Sequence, residues 1–183
     1  MSLVARISAK EYLDRDWPRD SQLVEGEVIV NDPAWLHQRT VGTIFTELRI
    51  WSRAEVGRGE AGLGCNWVID SSNVFKPDVW WVGEDRRPAR EAVWLDGAPD
   101  LAVEVRSPGT WRYDVGAKRA AYERAGLPEL WLVDTAAETV LLYRRSAPAL
   151  PTFDLALELD RAATVTSPSL GGLALPVVEI FTA

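Results

Sequence analysis

Apolar positions recur along this chain at two spacings, and each change of spacing marks an element. Between Trp35 and Ala54 they fall at Val41, Ile44, Phe45, Leu48 and Trp51. Steps of three and four residues line one face of a helix, so this stretch predicts one long amphipathic helix. Leu101-Ala102-Val103-Glu104-Val105-Arg106 is instead a short, nearly unbroken apolar run rich in β-branched residues. That is the pattern of a largely buried strand. Ser107-Pro108-Gly109 ends it, because proline and glycine interrupt a ladder. A helix follows, with Asp114 placed to cap or acidify its first turn and Gly126 and Pro128 closing it.

The other segments read more briefly. Residues 7–13 predict a short helix, with Ser8 and Glu11 spaced as a capping box. Residues 23–30 predict a hairpin or bent strand pair turning at Gly26. Asn31-Asp32-Pro33 is a loop, and Gly57, Gly59, Gly62 and Gly64 predict an irregular segment. Residues 65–69 and 74–82 are strand candidates around the turn Asp70-Ser71-Ser72-Asn73. Residues 84–90 read as a polar, mobile loop, and 130–134 with 139–143 as a hairpin. Weaker strands fall at 153–159 and 163–166, and 167–173 form a loop before a short apolar end. No repeat or linker divides residues 1–183, which read as one domain.

Charge and composition narrow the function. A net charge of -7 argues against a protein that coats nucleic acid by charge alone, and leaves room for a localised basic groove. The single cysteine, Cys65, excludes an intrachain disulfide framework and suits a reducing compartment. With no run of signal-peptide or membrane-spanning length, a cytoplasmic protein without a membrane segment is expected. Nine tryptophans point to core or interface packing. Trp80, Trp81 and Trp111 are candidates for stacking bases, although strand alternation makes one of Trp80 and Trp81 core. Arg86, Arg87 and Arg90 with Arg106 and Arg112 form the one basic cluster that could meet phosphates. A solvated loop accounts better for the first three.

The chemistry concentrates around Glu104. A carboxylate inside an apolar strand is costly unless a hydrogen-bond donor or a metal pairs with it. Asp78 follows Pro77 inside the strand predicted over 74–82, and Asp114, Lys118 and Tyr122 recur at i, i+4 and i+8 on one helix face. Two strand carboxylates side by side make a hard oxygen site suited to Mg²⁺ or Mn²⁺, which can polarise a phosphodiester. A lysine beside them could stabilise developing charge or orient water. Spacing alone leaves a structural reading equally open, with Asp78 ending a strand and Glu104 bridging Lys118 or Arg106. His37, the only histidine, reads as a helix-entry residue or as a phosphate contact and proton carrier. Tyr122 reads as a packing residue whose hydroxyl reaches the edge of the site.

Pro77-Asp78, Val103-Glu104-Val105-Arg106-Ser107-Pro108, Asp114, Lys118, Tyr122 and Glu129-Leu130-Trp131-Leu132-Val133-Asp134 together resemble the Uma-type restriction endonuclease family, a bacterial branch of the PD-(D/E)XK nucleases. The resemblance runs from about residue 7 to about residue 180 and takes in Leu23-Val24-Glu25-Gly26-Glu27 and His37. It implies an α/β fold: a restriction-endonuclease-like core with a central mixed sheet flanked by helices and additional N-terminal strands. It implies a divalent-metal-dependent endonuclease acting on DNA. Asp78, Glu104 and the backbone carbonyl of Val105 would be ligands to Mg²⁺ or Mn²⁺, and Asp78, Glu104, Lys118 and His37 catalytic. Arg106, Ser107, Tyr122 and Asp114 would contact or frame the substrate. Two positions depart from the family pattern. Arg106 stands where a lysine is usual, and it can clamp a phosphate but cannot act as a base. The resemblance places the catalytic lysine on the helix, as Lys118. Gln22 stands where a glutamate is usual, with Glu25 and Glu27 as possible substitutes. A homodimer is expected, since cutting both strands calls for two sites. Two rival readings remain: a non-cutting nuclease-fold module that binds nucleic acid or a protein partner, and an assembly protein whose tryptophans form an oligomer interface.

Overall fold

The computed structural model describes residues 6–182. In chain order the elements are α1 (Ala9–Leu13), β1 (Ser21–Val24), β2 (Glu27–Val30), α2 (Trp35–Ala54), β3 (Glu60–Leu63), β4 (Asn66–Asp70), β5 (Asn73–Phe75), β6 (Val79–Val82), β7 (Trp94–Leu95) and β8 (Leu101–Val105). After them come α3 (Trp111–Tyr113), a π turn (Asp114–Lys118), α4 (Arg119–Arg124), β9 (Glu129–Asp134), β10 (Thr139–Arg144), β11 (Leu155–Leu159), β12 (Thr164–Val165), β13 (Leu175–Pro176) and α5 (Val177–Thr182).

Two sheets carry the architecture. The larger has the order β11-β10-β9-β8-β6-β3. Its β8–β9 pair is parallel and its other pairs are antiparallel, so the sheet is mixed, as expected. The smaller, β2-β1-β5-β4-β7, is built chiefly from the N-terminal strands. Helix α2 covers one face of the larger sheet through Val41, Ile44, Leu48 and Trp51, which pack with Leu101, Val103 and Val105 of β8. The other face packs Ala102, Leu130 and Leu132 against Phe75, Trp67 and Tyr122. Strand β8 is therefore buried on both faces, which is why its sequence lacks alternation.

Local chemistry explains the turns. Ser8 and Glu11 form the expected capping box on α1. Glu25 and Gly26 both take positive φ, making the tight hairpin between β1 and β2. Gly126, at φ +82, closes α4.

Five expectations are corrected. Residues 74–82 are not one strand: Lys76-Pro77-Asp78 separates β5, in the smaller sheet, from β6, in the larger, because Pro77 lacks the N–H a ladder needs. Asp78 thus lies just before a strand rather than inside one. The glycine-rich segment contains a real strand, β3, paired with β6. Trp80 and Trp81 are both buried, since β6 is covered on both faces. The segment 84–90 is not all loop: Glu84–Arg86 forms a 3₁₀ turn, with ion pairs from Arg86 to Asp100 and from Arg87 to Glu60 and Glu84. Asp114 is not an N-cap: it is the acidic residue in the first turn of the π segment, one turn into the helix, with its side chain on Lys118.

Candidate active site

The site lies on the seam between the two sheets, where three connections converge. The β5–β6 crossing carries Asp78. The connection from β2 to β3 is α2, which carries His37 in its first turn. The helical segment from β8 to β9 carries Asp114, Lys118 and Tyr122.

Alternation along β8 points Glu104 to the same side as Ala102, toward the helical segment and the smaller sheet. There Tyr122 Oη donates to Glu104 Oε1 at 2.5 Å, and Lys118 Nζ lies 2.7 Å from the same oxygen. Lys118 Nζ is also 2.9 Å from Asp114 Oδ1. The extra residue of the π turn widens the helix there, and such turns are frequent at functional sites. Tyr122 stacks on Trp67 and meets Phe75 edge-on, which fixes its ring. Asp78 completes the arrangement from the other side. The β6–β8 ladder ends at Val79 and Val103, and just beyond it Val105 N–H donates to Asp78 Oδ2 at 2.8 Å. His37 Nε2 lies 3.2 Å from that oxygen. Asp78 and Glu104 therefore come together with Lys118, Asp114, Tyr122 and His37.

Burial sets the electrostatics. Glu104 and Lys118 are 2% and 3% exposed, whereas the Asp78 side chain keeps 19% of its surface open. Burial pushes the Glu104 carboxyl up to about 8, against the pull of the Lys118 ammonium and with help from the Asp114 and Asp78 charges. Burial likewise raises Asp114, again against Lys118. For Lys118 burial pulls downward, but the two carboxylates outweigh it and hold the ammonium above the usual lysine range. Burial and the Glu104 carboxylate raise the Tyr122 phenol well above its usual value, so it is a donor.

Other expected residues lie at the edge. Arg106 directs a guanidinium nitrogen to both oxygens of Asp134, at 2.9 Å each, and lies over the Trp111 ring. Ser107 is buried and lines a groove with Thr110, Arg112 and Tyr113. Gln22 Oε1 accepts from the Lys76 N–H at 2.9 Å. Glu25 is in the hairpin turn and lines a separate hollow with Arg6 and Arg124. Three residues that sequence reasoning passed over line the cleft beside Asp78: Lys76, Gln38 and Asn31. Lys76 precedes Pro77-Asp78 directly, so its position was the available signal. Asn31 read only as part of a loop.

Comparison with known proteins agrees with this architecture. Residues 10–177 match the Uma2 family, described as "Putative restriction endonuclease". A solved structure entitled "Crystal structure of a putative nuclease belonging to DUF820", from Anabaena variabilis ATCC 29413, superposes with a TM-score of 0.81 at 22% identity. The match covers 96% of this chain and 98% of that one. At that identity the likeness speaks for the fold alone. Among curated proteins none matches the chain. With the match running through both sheets and every element that builds the site, the chain belongs to the Uma2 family of restriction-endonuclease-like proteins.

Proposed function

We propose that the protein is a divalent-metal-dependent endonuclease that hydrolyses DNA phosphodiester bonds. The observation that carries this reading is the convergence of Asp78 and Glu104 on Val105 and Lys118, within a family described as restriction endonucleases.

The residues fit a hard divalent ion. Among the described residues no hydrogen bond reaches Asp78 Oδ1 or Glu104 Oε2, so each carboxylate keeps an oxygen free of protein donors. No cluster of three or more His, Cys, Asp or Glu side chains suited to a metal occurs among the described residues. Two carboxylates are what Mg²⁺ takes when water and substrate phosphate complete its shell. Asp78, Glu104 and the Val105 carbonyl would hold Mg²⁺ or Mn²⁺, which supplies Lewis acidity toward the phosphodiester. The chain's own residues do the rest. Lys118 remains an ammonium and acts as a fixed positive charge toward the reacting phosphate rather than as a base. Asp114 holds that ammonium in place. His37 and the Val105 N–H hold the Asp78 carboxylate in one orientation, and Tyr122 does the same for Glu104.

The test is plasmid and oligonucleotide cleavage with Mg²⁺ or Mn²⁺, beside calorimetric titration of Mn²⁺. Cleavage should fall at least about a hundredfold in Asp78→Asn and in Glu104→Gln. A second reading, a nuclease-fold module that binds without cutting, has one observation in its favour: Glu104 Oε1 is already occupied by Lys118 and Tyr122. It predicts no Mn²⁺ heat and no cleavage by the wild type, and that pair of results would replace the first reading with the second.

A further inference from the structure

Three hollows meet at one point on the surface. A cleft of about 170 Å³ is lined by Gln22, Asn31, His37, Lys76 and Asp78. A narrow pocket of about 10 Å³, lined by Gln22, Asn31, Thr110, Tyr113, Asp114 and Lys118, leads to the buried lysine. A groove of about 490 Å³ is lined by Asn31, Ser107, Thr110, Arg112 and Tyr113. Gln22 borders the first two and Asn31 borders all three. Together they form a trough that passes from the Asp78 side of the site to the Arg112 side.

The β1–β2 ribbon sets both side chains. Gln22 pairs with Ile29 across it. Asn31 N–H bonds to Asp20 O at 3.2 Å, which extends the ladder and sets Asn31 diagonal to Gln22 on the same face. The Gln22 amide has a defined orientation. Lys76 N–H can only donate, so the Gln22 atom it meets is the carbonyl oxygen, and the NH₂ group points the other way. Neither that NH₂ nor the Asn31 side-chain amide has a hydrogen-bond partner among the described residues.

We propose that Gln22 and Asn31 form a two-amide clamp that holds the phosphodiester backbone of the substrate across this junction. The inference rests on the nuclease reading of the site and adds to it the residues that position the strand. Asp20, Asp78 and Asp114 all border these hollows. An ammonium or guanidinium packed against a carboxylate is held by it, as Lys118 is by Asp114 and Arg106 by Asp134. A neutral amide is not captured in that way, and it donates to a phosphate oxygen without adding charge. Donors fixed on a strand pair also set the register of the backbone relative to the carboxylates. Gln22 and Asn31 are thus positioning residues that touch substrate, distinct from the groups that act on the scissile bond.

The experiment is fluorescence anisotropy of a labelled DNA oligonucleotide in EDTA, where nothing is cut, with plasmid cleavage in Mg²⁺ alongside. The variants are Gln22→Glu, Gln22→Met and Asn31→Ala, each checked for an unchanged melting temperature. Gln22→Glu keeps the acceptor for Lys76 N–H and removes the donor. Gln22→Met removes the donor without adding charge. Each of the three should weaken binding about tenfold, the value of one hydrogen bond to a charged group. Wild-type binding by all three, in a protein that still cleaves, overturns the clamp and leaves the nuclease reading standing. A loss confined to Gln22→Met overturns it too, because that points to the Lys76 loop. A wild type that neither binds nor cleaves overturns the clamp and the nuclease reading together.

Discussion

The Lys118 ammonium sits between Glu104 and Asp114 with almost no access to water, and the charge balance of the site depends on it. Lys118→Met keeps the stem and removes the charge, leaving two buried carboxyls unpaired. Breaking such a pair costs about 3–5 kcal/mol, and urea denaturation above about pH 8, where the Glu104 carboxyl is ionised, should show a loss of that size together with lost cleavage. A variant as stable as the wild type at that pH would mean that the carboxyls stay protonated there. Glu104 makes a separate prediction with pH. Its carboxyl moves from 4.5 to about 8 on folding, so over that interval the folded chain keeps a proton that the unfolded chain releases. The contribution is complete below about 4.5 and is lost as pH rises to about 8. Wild-type stability should therefore decline across that window by an amount on the order of a few kcal/mol. Glu104→Gln, neutral at every pH, should flatten the slope to the part that Asp114, also raised by burial, contributes; an equal slope in the variant would place the proton elsewhere. Asp134 does not mask the effect, because there burial is outweighed by hydrogen bonds from Ala136, Ala137 and Arg106, which lower it and move its window below 3.8. Much of this cluster was legible in the sequence, because a carboxylate in an apolar strand and a Lys–Tyr repeat at helical spacing are local signals. Asn31 was not legible, since only the fold brings it to Asp78, whereas Lys76 stands two residues before Asp78 and was signalled by that position alone.

The elements differ in how openly their sequences declare them. Helix α2 and strand β8 follow from periodicity alone, since each buries a face that its own residues specify. Strand β3 is the opposite case. Glu60-Ala61-Gly62-Leu63 reads as a glycine-rich irregular stretch, yet it pairs with β6 over four residues. Its glycine is there for contact, not for a turn. A Cβ on Gly62 would lie 2.1 Å from the Trp80 ring, closer than atoms can approach. The partner that explains the glycine is a tryptophan on another strand, so no local pattern could reveal it. Gly62→Ala should cost about 1–3 kcal/mol through overpacking, read as a lower urea midpoint. Exchange of the β3 amides should speed up while β9 stays protected, because β3 is the edge strand and can part from β6 without unfolding the centre. Unchanged exchange at β3 would show that Trp80 moves aside at no cost. The π turn is equally illegible: spacing put Asp114 and Lys118 on one face, but only the fold shows the extra residue that brings both onto the buried side.

At the scale of the whole molecule, a net charge of -7 has to be reconciled with the polyanionic substrate proposed for the site. Most of the arginines that suggest a basic patch in the sequence are already paired. Arg49 and Arg87 reach Glu60, Arg58 reaches Glu55, Arg86 reaches Asp100, Arg106 reaches Asp134, Arg144 reaches Glu129, and Arg161 reaches Glu138. Lys118 is buried within its own cluster. Around the trough that leaves Lys76 on the cleft side and Arg112 on the groove side as cations without a carboxylate partner among the described residues. A trough lined this way holds DNA with the release of few counterions. The logarithm of the binding constant falls with the logarithm of salt by about 0.9 for each phosphate neutralised on a duplex. Two available cations thus set a slope of about -2. Amide contacts of the kind assigned to Gln22 and Asn31 add affinity without steepening it, because they displace no ions. Oligonucleotide binding measured from low to high salt in EDTA should show this shallow slope, and Arg112→Gln should reduce it by about 1 while leaving Gln22→Met at the wild-type slope. A slope steeper than about -5 would mean that DNA also contacts arginines outside the trough, such as Arg39 or Arg119, or that several of those ion pairs open when it binds.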